Sequence, residues 1–330
     1  MGRRVFLTGV TGFLGNNLAR ALTERGNHVV ALVRGKPDPR VWEGLDVEQV
    51  RGDLGDAELI DRAVASCEAV IHSAALIHVG WTRLEESLRV NRDGTAVVAE
   101  AALRHGRRMV HVATINTLPR HIGRASAPPV HEETPLTPTN DQVPCAYVVS
   151  KRASVAEVER RLDRGLDAVL VHPGFMLGPW DWKPSSGRMI LELGKRYVPG
   201  CPTGGCSVCD VRDVSQAIVS ALDHGGRGRH YILAGENWSY RQLWTELARR
   251  QGRLRPIFPV GPLIRFGVAA YGRFQARRVG QETELNSAAL KLTSHRMWYD
   301  SRRAEQELGY TRRELAQTLD EATHWVRSHF

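Results

Sequence analysis

The sequence predicts an α/β fold built on a doubly wound parallel sheet, with a smaller, mostly helical C-terminal substrate lobe. Three observations predict it. Short apolar runs alternate with helix-like segments through the first 172 residues, the pattern of a parallel sheet covered on both faces. Thr8-Gly9-Val10-Thr11-Gly12-Phe13-Leu14-Gly15 sets three spaced glycines where the first strand turns into the first helix. After Pro173 the alternation breaks into stretches punctuated by Pro, Gly and Trp. Together these give a Rossmann-type sheet with a capping lobe over the carboxyl ends of its strands, where open α/β sheets bind ligands.

Arg3 to Leu7 reads as the first buried strand, and a helix over about 13–25 follows it. His28–Val33 and 47–50 are the next two strands, the latter ending at Arg51-Gly52-Asp53-Leu54. A helix over about 57–66 leads to a fourth strand at 68–73, and a long helix over about 84–105 leads to a fifth at 108–114. A Pro- and Thr-rich loop spans 117–144. A helix over about 145–164 leads to the sixth strand at 168–172. Later come a strand at 207–209, a helix at 211–222, a strand at 229–233, and helices at about 239–251, 261–275 and 312–328. Residues 1–172 and about 207–233 are assigned to the dinucleotide-binding domain, and about 173–206 and 234–330 to the substrate lobe.

The glycine turn has a chemical meaning. Gly9 permits the tight turn, Gly12 lets backbone approach a phosphate, and Gly15 lets helix and strand pack closely. The helix N-terminus then offers free N–H groups and partial positive charge to a pyrophosphate. Thr11, Phe13 and Leu14 lie in the same turn.

Totals exclude several classes. The chain has 330 residues, 42% hydrophobic and 25% charged, ordinary for a globular protein. The net charge is +9, but arginines are spread along the chain rather than clustered with aromatics, so no nucleic-acid partner is expected. No apolar leader and no run of 18 apolar residues is present, which predicts a cytoplasmic protein without an integral membrane segment. Five cysteines fit reduced thiols. Cys201, Cys206 and Cys209 lack an evident fourth ligand, so no metal is expected. His72, His111 and His172 fall in strands or at strand ends and read as packed and neutral.

Tyr147-Val148-Val149-Ser150-Lys151 places Tyr and Lys on one helix face. A neighbouring ammonium favours tyrosinate and makes Tyr147 a usable proton donor or acceptor near neutrality.

Taken in order, these stretches resemble the extended short-chain dehydrogenase/reductase family. The resemblance is carried by Thr8-Gly9-x-x-Gly12-x-x-Gly15, Gly52-Asp53-Leu54, His72-Ser73-Ala74-Ala75, Asn91-x-x-Gly94-Thr95, Thr114 and Tyr147-x-x-Ser150-Lys151. It continues through His172-Pro173-Gly174-Phe175, where the family more often has Arg before Pro, then Asp210-Val211-Arg212-Asp213-Val214 and Asp300-Ser301-Arg302-Arg303-Ala304. It covers nearly the whole chain. Gly178-Pro179-Trp180-Asp181-Trp182-Lys183-Pro184 and Gly235-Glu236-Asn237 make it closest to the dihydroflavonol-reductase-like and hopanoid-associated sugar epimerase group.

The resemblance implies an NAD(P)-dependent oxidoreductase. In it Thr114, where the family more often has Ser, hydrogen-bonds the substrate oxygen. Tyr147 transfers its proton, Lys151 lowers the Tyr pKa and holds the nicotinamide ribose, and Asn91 supports them. Asp53 and Leu54 match adenine contacts, Ala74 and Ala75 let the cofactor approach the fourth strand, and Pro173 and Phe175 meet the nicotinamide. The alternatives are a nucleotide-sugar epimerase or dehydratase with transient cofactor reduction, and a non-catalytic NAD(P)-sensing protein. The resemblance also implies a homodimer through helices 84–105 and 145–164.

Arg34, with Lys36 and Arg40 nearby, stands where an acidic residue would hold the ribose hydroxyls of NAD. An Arg there accommodates a 2′-phosphate and favours NADP, or it stacks on adenine. His78, Trp81, Trp180, Trp182, Lys183 and Arg188 are expected to border the pocket of a small-molecule substrate. Residues 257–278 mix Phe258, Leu263, Ile264, Phe266, Val268 and Tyr271 with Arg265, Arg273, Arg277 and Arg278. They read either as a membrane-surface helix or as one packed on the second lobe or a partner subunit.

Overall fold

The computed structural model describes residues 2–120, 128–135, 143–280, 282–283 and 286–330. The first half runs β1 (Arg4–Thr8), α1 (Phe13–Glu24), β2 (His28–Val33), β3 (Glu48–Arg51), α2 (Ala57–Ala65) and β4 (Ala69–His72). It continues with α3 (Leu84–Leu88), a π-helical turn at Arg89–Asp93, α4 (Gly94–Arg104), β5 (Arg108–Val112), α5 (Ala146–Leu162) and β6 (Ala168–Pro173). The second half runs β7 (Phe175–Leu177), α6 (Gly187–Lys195), β8 (Gly200–Cys201), β9 (Gly205–Asp210), α7 (Val211–His224), β10 (His230–Leu233), β11 (Glu236–Ser239) and α8 (Tyr240–Arg250). It ends with β12 (Phe258–Pro259), α9 (Pro262–Val279), α10 (Ser287–Leu292), β13 (Arg296–Met297), α11 (Arg302–Leu308) and α12 (Leu315–His329).

Seven strands form one parallel sheet in the order β10-β6-β5-β4-β1-β2-β3. The two-residue period of a strand explains why both faces are dry. Val5 and Leu7 join the core under α1 and α7, while Phe6 between them joins the core under α2, α4 and α5. The chain leaves β1 toward β2 and β3, then returns to the other side of β1 with β4. That reversal opens a crevice between the loops after β1 and β4.

The smaller lobe has its own four-stranded sheet, in which β9 pairs with β7, β11 and β13. The 207–233 stretch therefore divides. β9 lies in the small sheet because β7, continuing from β6, offers it a pairing edge at Phe175 and Val208. α7 packs on α1, and β10 extends the large sheet beside β6. The lobe's core joins Trp182, Leu243, Leu319 and Trp325 between α6, α8 and α12. The long helix is also not uniform, since its middle turn is π-helical at Arg89–Asp93. Of the 117–144 loop, 121–127 and 136–142 lie outside the described residues; its described part makes one bridge, Val130 to Tyr299.

Candidate active site

The crevice widens into a cavity of about 2300 Å³. The glycine turn forms one wall. Gly9 has φ +83°, and a side chain there would meet the backbone of Ala74 at 2.7 Å. A Cβ on Gly15 would lie 1.9 Å from the Gly9 carbonyl oxygen, so the helix packs this closely only with glycine. A Cβ on Gly12 would meet nothing nearer than that oxygen, at 3.3 Å, leaving room beside it. α1 begins without a side-chain cap and without an acidic residue in its first turn, and Thr11, Gly12, Phe13, Leu14 and Gly15 line the cavity. This wall suits a dinucleotide pyrophosphate: open backbone donors, a helix N-terminus and no competing carboxylate.

The far end of the cavity holds Arg34, Asp53 and Leu54. The guanidinium of Arg34 lies 3.9 Å from the Asp53 carboxylate, and both are exposed. Arg40 turns elsewhere, bonding Asp38 at 2.6 Å and lying over the ring of Trp182.

Thr114, Tyr147 and Lys151 also line the cavity, as do Ala74, Ala75, Pro173 and Phe175. The Thr114 hydroxyl accepts from the N–H and the Nδ2 of Asn116, both at 3.3 Å, and hydrogen-bonds to Tyr147. Burial raises the Tyr147 pKa above its usual value, and the Thr114 bond opposes this. Lys151 acts less directly than its spacing implies. Its Nζ donates to the Val112 carbonyl at 2.7 Å, and burial lowers its own pKa to about 7. Asn91 does not reach the cavity. Its Oδ1 accepts from the Leu76 N–H at 2.7 Å, and its Nδ2 donates to the Leu76 carbonyl at 2.9 Å and to Ser150 Oγ at 2.8 Å. These bonds tie the loop after β4 to α5.

Two histidine chains brace this centre. Thr95 Oγ1 donates to the Asn91 carbonyl at 2.6 Å, so His72 Nε2–H donates to Thr95, and Nδ1 accepts from Thr8. Thr8 in turn accepts from the Ala74 N–H. The chain ties β1, β4 and the π-helical turn together. On the other side, Thr117 Oγ1 donates to the Thr114 carbonyl, so His172 Nδ1–H donates toward both, and Nε2 accepts from His230 Nδ1 at 2.9 Å. Burial holds His72 and His172 near pKa 3.

A model of the NAD dependent epimerase/dehydratase family matches residues 5–234, which span the glycine turn, Thr114, Tyr147 and Lys151. The chain belongs to this family. It is 32% identical over 329 residues to sterol demethylase protein B of Methylococcus capsulatus, covering 97% of each chain. It is 31% identical over 254 residues to the 4-hydroxy-2-methyl-3-oxo-4-farnesyl-3,4-dihydroquinoline-1-oxide ketoreductase of Stigmatella aurantiaca, covering 76% of this chain and 73% of the other. The solved structure of gox2253 superposes with a TM-score of 0.83 at 29% identity, covering 98% of both chains.

In this family member His78, Trp81, Lys183 and Arg188 line the cavity. Trp180 and Trp182 are not on it. Trp180 stacks under Arg20, and Trp182 packs edge-on against Trp325 and His329, so both serve lobe packing. Three contributors lie beyond the motifs. Glu282 accepts from the N–H groups of Trp81 and Thr82, Tyr240 lines the wall from α8, and Arg277 lines it from α9. All three come from the C-terminal half; Glu282 and Tyr240 carry no local pattern, and Arg277 belongs to the aromatic and basic stretch 257–278. Cys206 and Cys209 face opposite cores, and among the described residues no group of His, Cys, Asp or Glu forms a metal cluster.

Proposed function

We propose that this protein is an NAD(P)-dependent oxidoreductase acting on a carbonyl or alcohol of an apolar small molecule through Thr114, Tyr147 and Lys151. The observation that carries the reading is the Thr114–Tyr147 hydroxyl pair, set in the same cavity as the glycine turn. The dinucleotide supplies or accepts the hydride when bound. Tyr147 gives its proton to the substrate oxygen during reduction, or takes it during oxidation. Beyond the N–H spent on Val112, the Lys151 amine has at least one further N–H in either protonation state to offer a ribose. Ile115 and Asn116, which follow Thr114, add no ionisable group, so the centre suits simple hydride transfer better than elimination of water.

Arg34 supports NADP, with NAD as the alternative. For the substrate, Phe175, Met176, Leu292 and Met297 provide apolar lining, and the relatives carry names of sterol and farnesyl-quinoline chemistry. A nucleotide-sugar epimerase is the second reading, favoured by Lys183 and Arg188 in the lining, which suit a diphosphate. Dimerisation through the outer sides of α3, α4 and α5 accompanies either. The test follows reduced-nicotinamide absorbance with sterol ketones, prenylated ketones and nucleotide sugars. Sustained oxidation with a ketone, abolished in Tyr147→Phe, supports the reading. Sugar inversion without net absorbance change moves the assignment to the epimerase, and turnover unaffected in Tyr147→Phe removes the centre.

A further inference from the structure

We propose that α9 docks this protein on an anionic lipid bilayer, which delivers the substrate to the cavity. The inference rests on the apolar-substrate reading only for what is delivered; the docking stands on the helix itself. α9 spans Pro262–Val279 and packs mainly on α10. At about 100° per residue, Ile264, Phe266, Ala270, Tyr271, Phe274 and Arg277 share one side. That side faces solvent: Phe266 is 71% exposed, Tyr271 55%, Phe274 53% and Ile264 43%. The opposite side, which includes Val268, Ala269, Gly272 and Ala276, is the more buried one and consists largely of small residues. A surface helix of a globular protein ordinarily shows the reverse, with its large apolar side chains inward. The segment leading into α9 adds exposed Leu254 and Ile257.

Charge chooses the occupant. Between Glu246 and Glu282 the chain carries eight arginines and no acidic residue. Among the described residues, Arg255, Arg265, Arg277 and Arg278 pair with no carboxylate, and Arg278 lies over the Phe274 ring. Aromatic side chains interleaved with basic ones match an interface with anionic headgroups.

Position connects the face to the site. Ala276, Arg277 and Gly280 line the cavity, and Glu282 clamps the end of this segment to Trp81 and Thr82. Ile77 and Trp81, also in the lining, are 62% and 41% exposed. The aromatic face and the cavity therefore meet at the C-terminal end of α9.

Co-sedimentation of the full chain with vesicles tests the proposal. The vesicles are phosphatidylcholine alone or phosphatidylcholine mixed with phosphatidylglycerol in equal parts. Binding is expected to the mixed vesicles and to weaken at least about tenfold on raising salt, as screening requires. The Phe266→Ser/Tyr271→Ser/Phe274→Ser variant should lose that binding about tenfold or more while keeping dinucleotide binding. Arg277→Gln/Arg278→Gln should lose chiefly the salt-sensitive part. Tyr147→Phe should sediment like the unaltered protein, which separates this inference from the assigned chemistry. Absence of binding to mixed vesicles at low salt overturns it. So does a dimer in solution that the triple serine variant converts to monomer, because a second copy then covers the face.

Discussion

The Thr114 hydroxyl donates to the phenol oxygen of Tyr147. The side chain and backbone N–H groups of Asn116 both donate to Thr114 Oγ1, and the bond to Tyr147 favours the phenolate. The one proton of Thr114 is thus directed at Tyr147, and the proton of Tyr147 is left for a ligand. Tyr147→Phe should lower kcat by about 10²- to 10⁴-fold with little change in dinucleotide affinity. Thr114→Val should lower it by about 10²-fold, and Thr114→Ser should restore most of it. Steady-state rates beside dinucleotide titrations check this; a Thr114→Val enzyme as fast as its parent removes the pair from the chemistry.

Arg34 discriminates between dinucleotides if it meets a 2′-phosphate. Arg34→Ala should then weaken NADPH binding by about tenfold or more and leave NADH nearly unchanged, since a charge-assisted phosphate contact is worth about 1.5–3 kcal/mol. Equal weakening of both, measured by calorimetric titration, would mean that the guanidinium stacks on adenine instead.

The parallel sheet was legible because β1, β2, β4, β5 and β6 bury both faces and so read as short apolar runs between helices, whereas the edge strand β3 is largely exposed. Gly9 and Gly15 were legible because their spacing is demanded by backbone contact. The small sheet was not. β11 is four residues long, and β8, β12 and β13 only two, too short for any period to show. β9 was found but assigned to the dinucleotide-binding domain instead of the small sheet, because pairing partners are set by three-dimensional neighbours. Trp180 and Trp182 misled for a related reason: an aromatic beside a motif suits a pocket or a lobe core equally, and only packing decides. Asn91 stands in the motif pattern, yet its bonds to Leu76 and Ser150 depend on the π-helical turn.

Asn91→Ala should strand the Leu76 N–H and carbonyl, at a cost of about 1–3 kcal/mol in folding stability. Because Asn91 acts through the loop after β4, the KM for the dinucleotide should rise more than kcat falls. Hydrogen exchange should quicken at residues 74–79. A variant whose kcat collapses at unchanged KM would place Asn91 in the chemistry itself.

Lys151 costs stability near neutrality. Its folded pKa, lowered to about 7 by burial, lies below the unfolded value of 10.5. Between those values the unfolded chain binds the extra proton, so stability rises with pH from 7 toward 10.5. Lys151→Met removes the penalty. It should be more stable than its parent at pH 7, and the difference should shrink by about 1.4 kcal/mol per pH unit above that. Urea midpoints from pH 7 to 9.5 measure it, and a constant difference would show that Lys151 is not titrating in this range.

His72 and His172 predict the opposite end of the pH scale. Each is held neutral, with a folded pKa of about 3 against 6.5 unfolded. Burial is the main cause, and the His72 chain reinforces it: the Ala74 N–H already donates to Thr8, whose hydroxyl proton is spent on His72 Nδ1. A second ring proton would leave the Thr8 hydroxyl without its acceptor. The stability these groups contribute is present above pH 6.5 and is lost as pH falls toward 3, because the unfolded chain takes up protons that the folded one refuses. The loss should approach 1.4 kcal/mol per pH unit for each histidine below 6.5. The window from pH 6.5 to 5 is shared with buried His111, whose pKa is also lowered by burial, and with Asp181, raised to about 6 by burial, so the contribution of His72 is read from the difference between variant and parent. His72→Gln should be less stable than its parent at pH 7.5 but should show a shallower decline through that window. Chemical denaturation at fixed pH values reads the slopes, and identical slopes would mean that His72 takes a proton in the folded protein.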